Sequence, residues 1–339
     1  MLNYKKKEKI MRTFKKRVYG AAMVKSVNSN YNADFSGQPR TLPNGTVYAT
    51  DKAFKYTVKN YLKDVYTGNG KGEYVFYFKR VNEEINALSL EEAYKHYRKD
   101  FLKINEEINA KDKTKALAEL LKCIDVRLFG ATFAMKAPGG NIAVSIHGPV
   151  QINHGINLWH ENNIYSEQIL SPFRNPKEEK KSSDEELKQT GQTTIGRQSK
   201  LEAGHYLHHF SVNPKNLEEV VSLAGDNAPD LTEEDINKLK ESMRRGATYY
   251  DSTSKAGTEN ELLIWVQLNE NSKVVLPNLS SLIKMETGKR DGKVVLDLSG
   301  LSDVLKQFES EIEKIEIYMN DYSIEIINEP TNAKLYCIN

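Results

Sequence analysis

RVYGAAMVKSV, residues 17–27, is an apolar run of strand length with a single glycine inside it. Such a run suits a core strand, and Gly20 lets a neighbouring chain approach closely. A polar, turn-rich loop follows over residues 28–50, holding Gly37, Pro39, Pro43, Asn44 and Gly45. Thr50 or Asp51 then caps a helix with Phe54, Val58, Tyr61, Leu62 and Val65 on one face. The chain therefore opens with a strand, a long loop and a helix.

Working outward, residues 73–80 alternate as a short aromatic strand. Ser89 and Glu92 form a capping box ahead of Tyr94, Tyr97, Phe101, Ile104 and Ile108 at helical spacing. Ala116, Leu117, Leu120 and Leu121 mark a further helix. Residues 125–134 (DVRLFGATFA) and 141–147 (NIAVSIH) read as two core strands around the turn Pro138-Gly139-Gly140. Residues 161–200 form a polar excursion holding the charge run PKEEKKSSDEELK. Strand pattern resumes at 204–212 (GHYLHHFSV). Helices follow near Pro214–Ala224 and from Thr232, the latter with Asp235 at its third position and a Leu231/Ile236 staple. Residues 261–268, 293–298, 314–319 and 322–327 read as strands, with a helix around 301–308. Short strands alternating with helices predict an α+β fold of ferredoxin-like or RRM-like type, although no RNP-type aromatic signature is present.

The 339 residues are 39% hydrophobic and 28% charged, as in a globular protein. No run of about 18 apolar residues predicts a membrane span. Cys123 and Cys337 are the two cysteines, which suits a reducing cytoplasm and excludes a cysteine-based zinc site. The net charge of +2 conceals an asymmetry: eight basic residues against Glu8 between Lys5 and Arg17, and eight acids against three bases from Leu301 onward. A basic patch facing phosphate accounts for the first feature; a solvated leader accounts for it equally. The seven histidines form no HExxH, and no His/Cys/Glu set has deaminase spacing. Walker loop and GxSxG elbow are absent too, so no cofactor, metal or catalytic constellation is implied.

Several segments taken together resemble a known family. Asp125-Val126-Arg127-Leu128-Phe129-Gly130-Ala131, followed by Gly148-Pro149-Val150-Gln151, is similar to the core of CRISPR-associated Cascade backbone subunits. These belong to the Cas-seven superfamily, here in its Csh/Csd branch of type I-B and I-C systems. The likeness continues through Ile195-Gly196-Arg197-Gln198-Ser199-Lys200 before Gly204-His205-Tyr206, and through Ser211-Val212-Asn213-Pro214. Pro39-Arg40, Thr50-Asp51-Lys52 with Lys55, Arg245-Gly246-Ala247-Thr248 and Ser254-Lys255-Ala256-Gly257 also fit, in order, across residues 17 to 268. One departure stands out. Asn28-Ser29-Asn30-Tyr31-Asn32-Ala33-Asp34 replaces the Asn-Pro-Asn-Gly-Asp stretch that the branch often carries after its first strand.

The resemblance implies a hand-shaped, modified RRM core. After a basic leader (1–16), the palm would comprise 17–65 and 123–339, the helical fingers 66–122 and the thumb hairpin 160–203. Copies would stack along a CRISPR RNA, beside other Cascade subunits, leaving guide bases open to pair with target DNA. No membrane partner is implied.

A guide backbone must grip any sequence, so its contacts should be to phosphate and sugar. Lys52 and Lys55 lie three apart on the first turn of the helix, where its N-terminus also favours phosphate. Arg40 and Lys136 stand in or beside loops at strand ends. Arg127, inside an apolar run, must meet either an acid or a phosphate. Gln151 and Asn153 alternate on one strand, and Arg174, Arg197 and Lys200 flank the polar excursion. Asn28, Asn30, His205 and Lys255 complete the candidate RNA-binding set. Tyr31, Phe35, Tyr249 and Tyr250 lie in loops and could stack on bases, each contributing about 1–3 kcal/mol. Two alternatives stay open. Asp34 lies in the loop after the first strand, the loop in which type III relatives carry the aspartate that cleaves target RNA, though no second catalytic partner is evident. The other is a general RNA-binding protein with no CRISPR role.

Overall fold

The computed structural model describes residues 12–67, 72–174, 192–226 and 228–339, with side chains throughout except at 170–174 and 192–195. The leader as far as residue 11 and the charge run at 177–188 lie outside the described residues. The fold is mixed α+β, built on a nine-stranded sheet.

Its centre is β1 (Val18–Ser29), which lies antiparallel between two partners. β8 (Gln192–Val212) runs along one side from Val212 opposite Val18 to Leu201 opposite Ser29, and β9 (Thr258–Leu268) along the other. Alternate residues of β1 enter two different cores. Val18, Ala22 and Val24 join α1 (Asp51–Tyr66) and α6 (Glu233–Tyr249) on one face. Tyr19, Ala21 and Met23 join a C-terminal layer on the other. Because both faces are covered, the strand reads as a continuous apolar run rather than an alternating one. Gly20 is required there: a Cβ would stand 2.1 Å from the Phe210 ring and 2.5 Å from the Ile264 carbonyl oxygen.

The sheet continues outward as β9, β12 (Ile312–Met319) and β14 (Ala333–Cys337) on one side, and as β8, β6 (Gly155–Asn157) and β2 (Tyr48–Ala49) on the other. β5 (Val150–Ile152) and β7 (Ile164–Arg174) also pair with β8. The C-terminal layer comprises β10 (Lys284–Arg290), β11 (Lys293–Asp297), β13 (Ile324–Ile327) and α7 (Ser299–Gln307). Residues 72–122 carry α2 (Leu90–His96), a π-helical turn over Tyr97–Phe101, and α3 (Lys113–Leu121). Their aromatic and leucine side chains belong to the helix-side core, and α5 (Lys215–Ala224) packs on α3. No helix among the described residues is long and apolar enough to cross a membrane.

Most elements stand where the sequence puts them, including both capping boxes, Ser89/Glu92 and Thr232/Asp235. Four readings are corrected. Residues 125–134 are not one strand: α4 (Ile124–Phe129) turns at Gly130 into β3 (Gly130–Ala137), which pairs only with β4 (Gly140–His147). Residues 73–80 form no strand and make a single bridge, Tyr74 to Cys123. The helix behind Ser89 stops at Phe101, leaving Ile104 and Ile108 in a loop. Finally, the polar excursion, patternless in its residues although the family likeness implies a hairpin there, contains β7 and the start of β8, which pair antiparallel.

Arg127 lies on α4, buried, with its guanidinium donating to Asp235 at 2.7 Å, to Glu73 at 3.0 Å and to the Leu121 carbonyl at 3.0 Å. Asp235 is also the third-position partner of Thr232 in the capping box of α6, so this one cation ties α4 to α6 and to Glu73. Arg127→Ala leaves two carboxylates facing each other in a dry site and should cost about 3–5 kcal/mol of stability. Urea unfolding measures this, and adding Asp235→Asn should recover part of the loss.

Candidate nucleic-acid interface

The loop after β1 and the start of α1 are joined through one side chain. Thr50 caps α1, its hydroxyl accepting from the Ala53 amide. Asn32 Oδ1 in turn accepts from the Thr50 amide at 2.8 Å and the Thr50 hydroxyl at 2.9 Å. From this junction Lys52, Lys55 and Lys59 run along one side of α1. They open into a cleft of about 280 Å³, bounded across from the helix by Phe129, Gly130, Ala131 and Thr132. Among the described residues β3 pairs with β4 alone, and at the cleft its Thr132 carbonyl accepts the Tyr77 hydroxyl at 2.8 Å.

The three lysines differ in availability. Lys52 is 83% exposed and Lys55 18%, and both bridge the single Asp51, at 3.1 and 3.2 Å. Burial alone would raise the Asp51 carboxyl; the hydrogen bond from Lys52 and the charge of Lys55 hold it below the ordinary range instead. Lys59 donates to the Tyr77 carbonyl at 2.8 Å, and burial lowers its pKa. One surface carboxylate against three ammonium groups leaves a positive surplus. Asp125, the other acid at the cleft, is buried and accepts the Phe76 and Tyr77 amides.

On the other side of the junction lie Arg40, Lys255 and Asn28. Arg40 donates through Nε to the Ala33 carbonyl at 3.1 Å, and its terminal nitrogens make no hydrogen bond among the described residues. Lys255 reaches the Tyr31 carbonyl at 2.5 Å, and burial draws its pKa down to about 8. Asn28 has left-handed backbone (φ 48°), is exposed, and accepts the Tyr165 hydroxyl of β7 at 3.0 Å. Arg197 is exposed on the hairpin opposite Gln168, whereas Lys200 pairs with Glu167 at 3.1 Å. The Arg174 side chain lies outside the described residues.

Other candidates stand elsewhere. Arg127 meets acids, as described, and sits on a helix rather than a strand. His205 is buried with Nδ1 2.6 Å from Glu261, a carboxylate with no exposed surface. Asn30 is buried too, and its amide joins the Gly37 carbonyl to the Ser199 carbonyl, tying the loop to the hairpin base. Gln151 and Asn153 are exposed near β5, but Asn153 follows the strand rather than alternating on it. Lys136 lies six residues along β3 from Gly130, about 20 Å away at the rise of a strand. It borders a different cavity, with Tyr94, Lys95 and Lys99. Among the loop aromatics, Tyr31 is fully buried against Tyr206, and Tyr250 packs edge-on against Tyr56. Tyr249 is half exposed and Phe35 wholly so.

Three contributors escaped the sequence reading. Lys59 is legible in retrospect, seven residues after Lys52 and so on the same helix face. Asn32 and His154 carry no local signal. Asn32 acts across eighteen residues, and His154 stacks on Tyr48 at 5.4 Å while facing the Asp51 amide.

Beneath the junction, His208 is wholly buried, stacked on Phe54 at 5.0 Å, with Nδ1 2.9 Å from the Asn153 carbonyl. Nδ1 therefore carries the proton, leaving Nε2 to accept from the Tyr31 hydroxyl at 3.5 Å. Burial lowers the His208 pKa to about 4. The unfolded chain takes up a proton near pH 6.5 that the folded chain refuses, so stability is full above that pH and falls as pH drops toward 4. The contribution lost between pH 7.5 and 5 should be about 2 kcal/mol. Urea unfolding at both pH values checks it: His208→Gln should reduce the pH dependence by that amount.

A search of the curated proteins finds no match. Among solved structures, the chain is similar to one from "CRISPR RNA-guided surveillance complex, pre-nicking", at 13% identity and a TM-score of 0.48, covering 95% of this chain and 96% of that one. The family model for CRISPR-associated protein Cas7 matches residues 16–311, nearly the whole described fold. The chain is thus a member of the CRISPR-associated protein Cas7 family.

Proposed function

We propose that this chain is a backbone subunit of a type I, I-B-like Cascade complex, binding CRISPR RNA as a row of copies and presenting its bases to target DNA beside other subunits. We read the order β9-β1-β8-β6, with α1 and α6 against one face, as an RRM-like palm of ferredoxin-like topology. On this reading the β7–β8 hairpin is the thumb and residues 66–122 are the fingers. The other sheet face is filled by the C-terminal layer, so the RNA would cross the loops at strand ends rather than lie on the sheet.

The observation that carries the proposal is the continuous run from Lys255 and Arg40, through Asn32 and Thr50, to Lys52, Lys55 and Lys59. Ammonium, guanidinium and amide groups along one path suit a ribose-phosphate strand of any sequence. We further propose that the protein holds RNA without cutting it. Asp34 Oδ1 accepts three hydrogen bonds from Ser36 and Gln38 of its own loop, the arrangement of a turn-former. Assembled complex given magnesium and complementary RNA should leave that RNA intact; regular cuts lost in Asp34→Ala would establish the enzyme instead.

Lys52→Glu with Lys55→Glu should abolish co-purification with short RNAs that share constant repeat-derived ends. In the milder Lys52→Ala/Lys55→Ala variant, the slope of log affinity against log salt should flatten by about 0.7 for each lost phosphate contact. RNA recovery unchanged in the double glutamate variant would overturn the proposal.

A further inference from the structure

Phe35 is the one large apolar side chain in residues 28–50 that is exposed, and its exposure is complete at 105%. Its backbone is nonetheless fixed from several directions. Ala33 bridges Pro39, and the Asp34 amide donates to the Gln38 carbonyl at 2.8 Å. The Asp34 carboxylate gathers the Ser36 amide and hydroxyl and the Gln38 amide, at 2.8, 2.7 and 3.0 Å. Gly37 closes the turn at φ 82°, a value that strains any other residue, and its carbonyl is held by buried Asn30. A ring on so constrained a turn loses little freedom when something covers it.

What covers it follows from its surroundings. Its chain neighbours Asp34, Ser36 and Gly37 are polar or small, and no other large apolar side chain of residues 28–50 is exposed, so the turn does not offer the contiguous apolar patch that marks a protein-docking surface. Arg40, close enough to Asp34 to help depress its carboxyl, and Asn32 place the turn beside the cationic path to Lys52. An isolated aromatic ring next to cations and amides matches a nucleobase, whose flat face is apolar and whose edges stay wet. We propose that Phe35 is a base-stacking residue, taking one unpaired nucleobase of the strand whose phosphates follow the cationic path. This rests on the RNA-binding reading above, and adds a contact to the base rather than to the backbone. Because every base offers a face to stack on, the contact is sequence-tolerant.

The test compares wild type, Phe35→Ala and Phe35→Trp on two probes: a twelve-nucleotide single-stranded RNA and an abasic ribose-phosphate strand of equal length. Phe35→Ala should bind the RNA about ten-fold more weakly or worse, while binding the abasic strand as wild type does and keeping the same salt slope. Phe35→Trp should retain RNA affinity, and its emission should be quenched by RNA and not by the abasic strand. Equal RNA binding by Phe35→Ala and wild type overturns the stacking role while leaving the phosphate path intact. Equal losses on both probes also overturn it, since they report damage to the loop. Wild type that binds neither probe defeats the inference together with the reading it rests on.

Discussion

The constraint from which the rest follows is the burial of β1 on both faces. With Val18, Ala22 and Val24 under the helices and Tyr19, Ala21 and Met23 under the C-terminal layer, the central strand offers no open surface. A polar, charged strand of nucleic acid cannot be accommodated on such a sheet without displacing a core. Anything the protein binds must meet it at strand ends, where loops emerge and backbone groups face water. The long loop after β1, the cap of α1 and the base of the β7–β8 hairpin all lie at such ends, and Asn32, Asn30 and Asn28 stitch them into one surface.

Charge inside the fold has a second role that the overall balance hides. Arg127 with Asp235 and Glu73, and Arg98 with Glu119, are buried ion pairs that lock neighbouring elements together. A cation out of water requires a partner within hydrogen-bond reach, and these pairs meet that requirement with carboxylates. They are consequently poor candidates for contacting a phosphate. The exposed cations differ in kind: Lys52 shares one acid with its neighbour, and Arg40 keeps most of its donors free.

Where the sequence was legible, a strong local signal spoke for itself. The run at 17–27, the capped helix from Thr50 and the box at Thr232/Asp235 each combine an apolar pattern with a start signal. Residues 125–134 misled because a short apolar run fits a buried strand and a buried helix equally well. Nothing within those ten residues reveals that Arg127 must turn toward Asp235, more than a hundred positions later. The paired strands β7 and β8 were legible from residue pattern only as a polar excursion, and as a hairpin only through the family likeness. They are held together by ladder hydrogen bonds, to which side-chain pattern is blind.

By itself the sequence determined most of the order of strands and helices, the α+β class, the ordered family segments and the presence of surplus cations near the first helix. Those properties depend on neighbours within a few positions, where periodicity and capping chemistry act. Only the tertiary structure decided which cations remain available, that Tyr31 goes inside while Phe35 stays out, and that β1 is covered on both faces. Pairing and desolvation act through space, between residues such as Arg127 and Asp235 or His205 and Glu261, and no spacing along the chain encodes them.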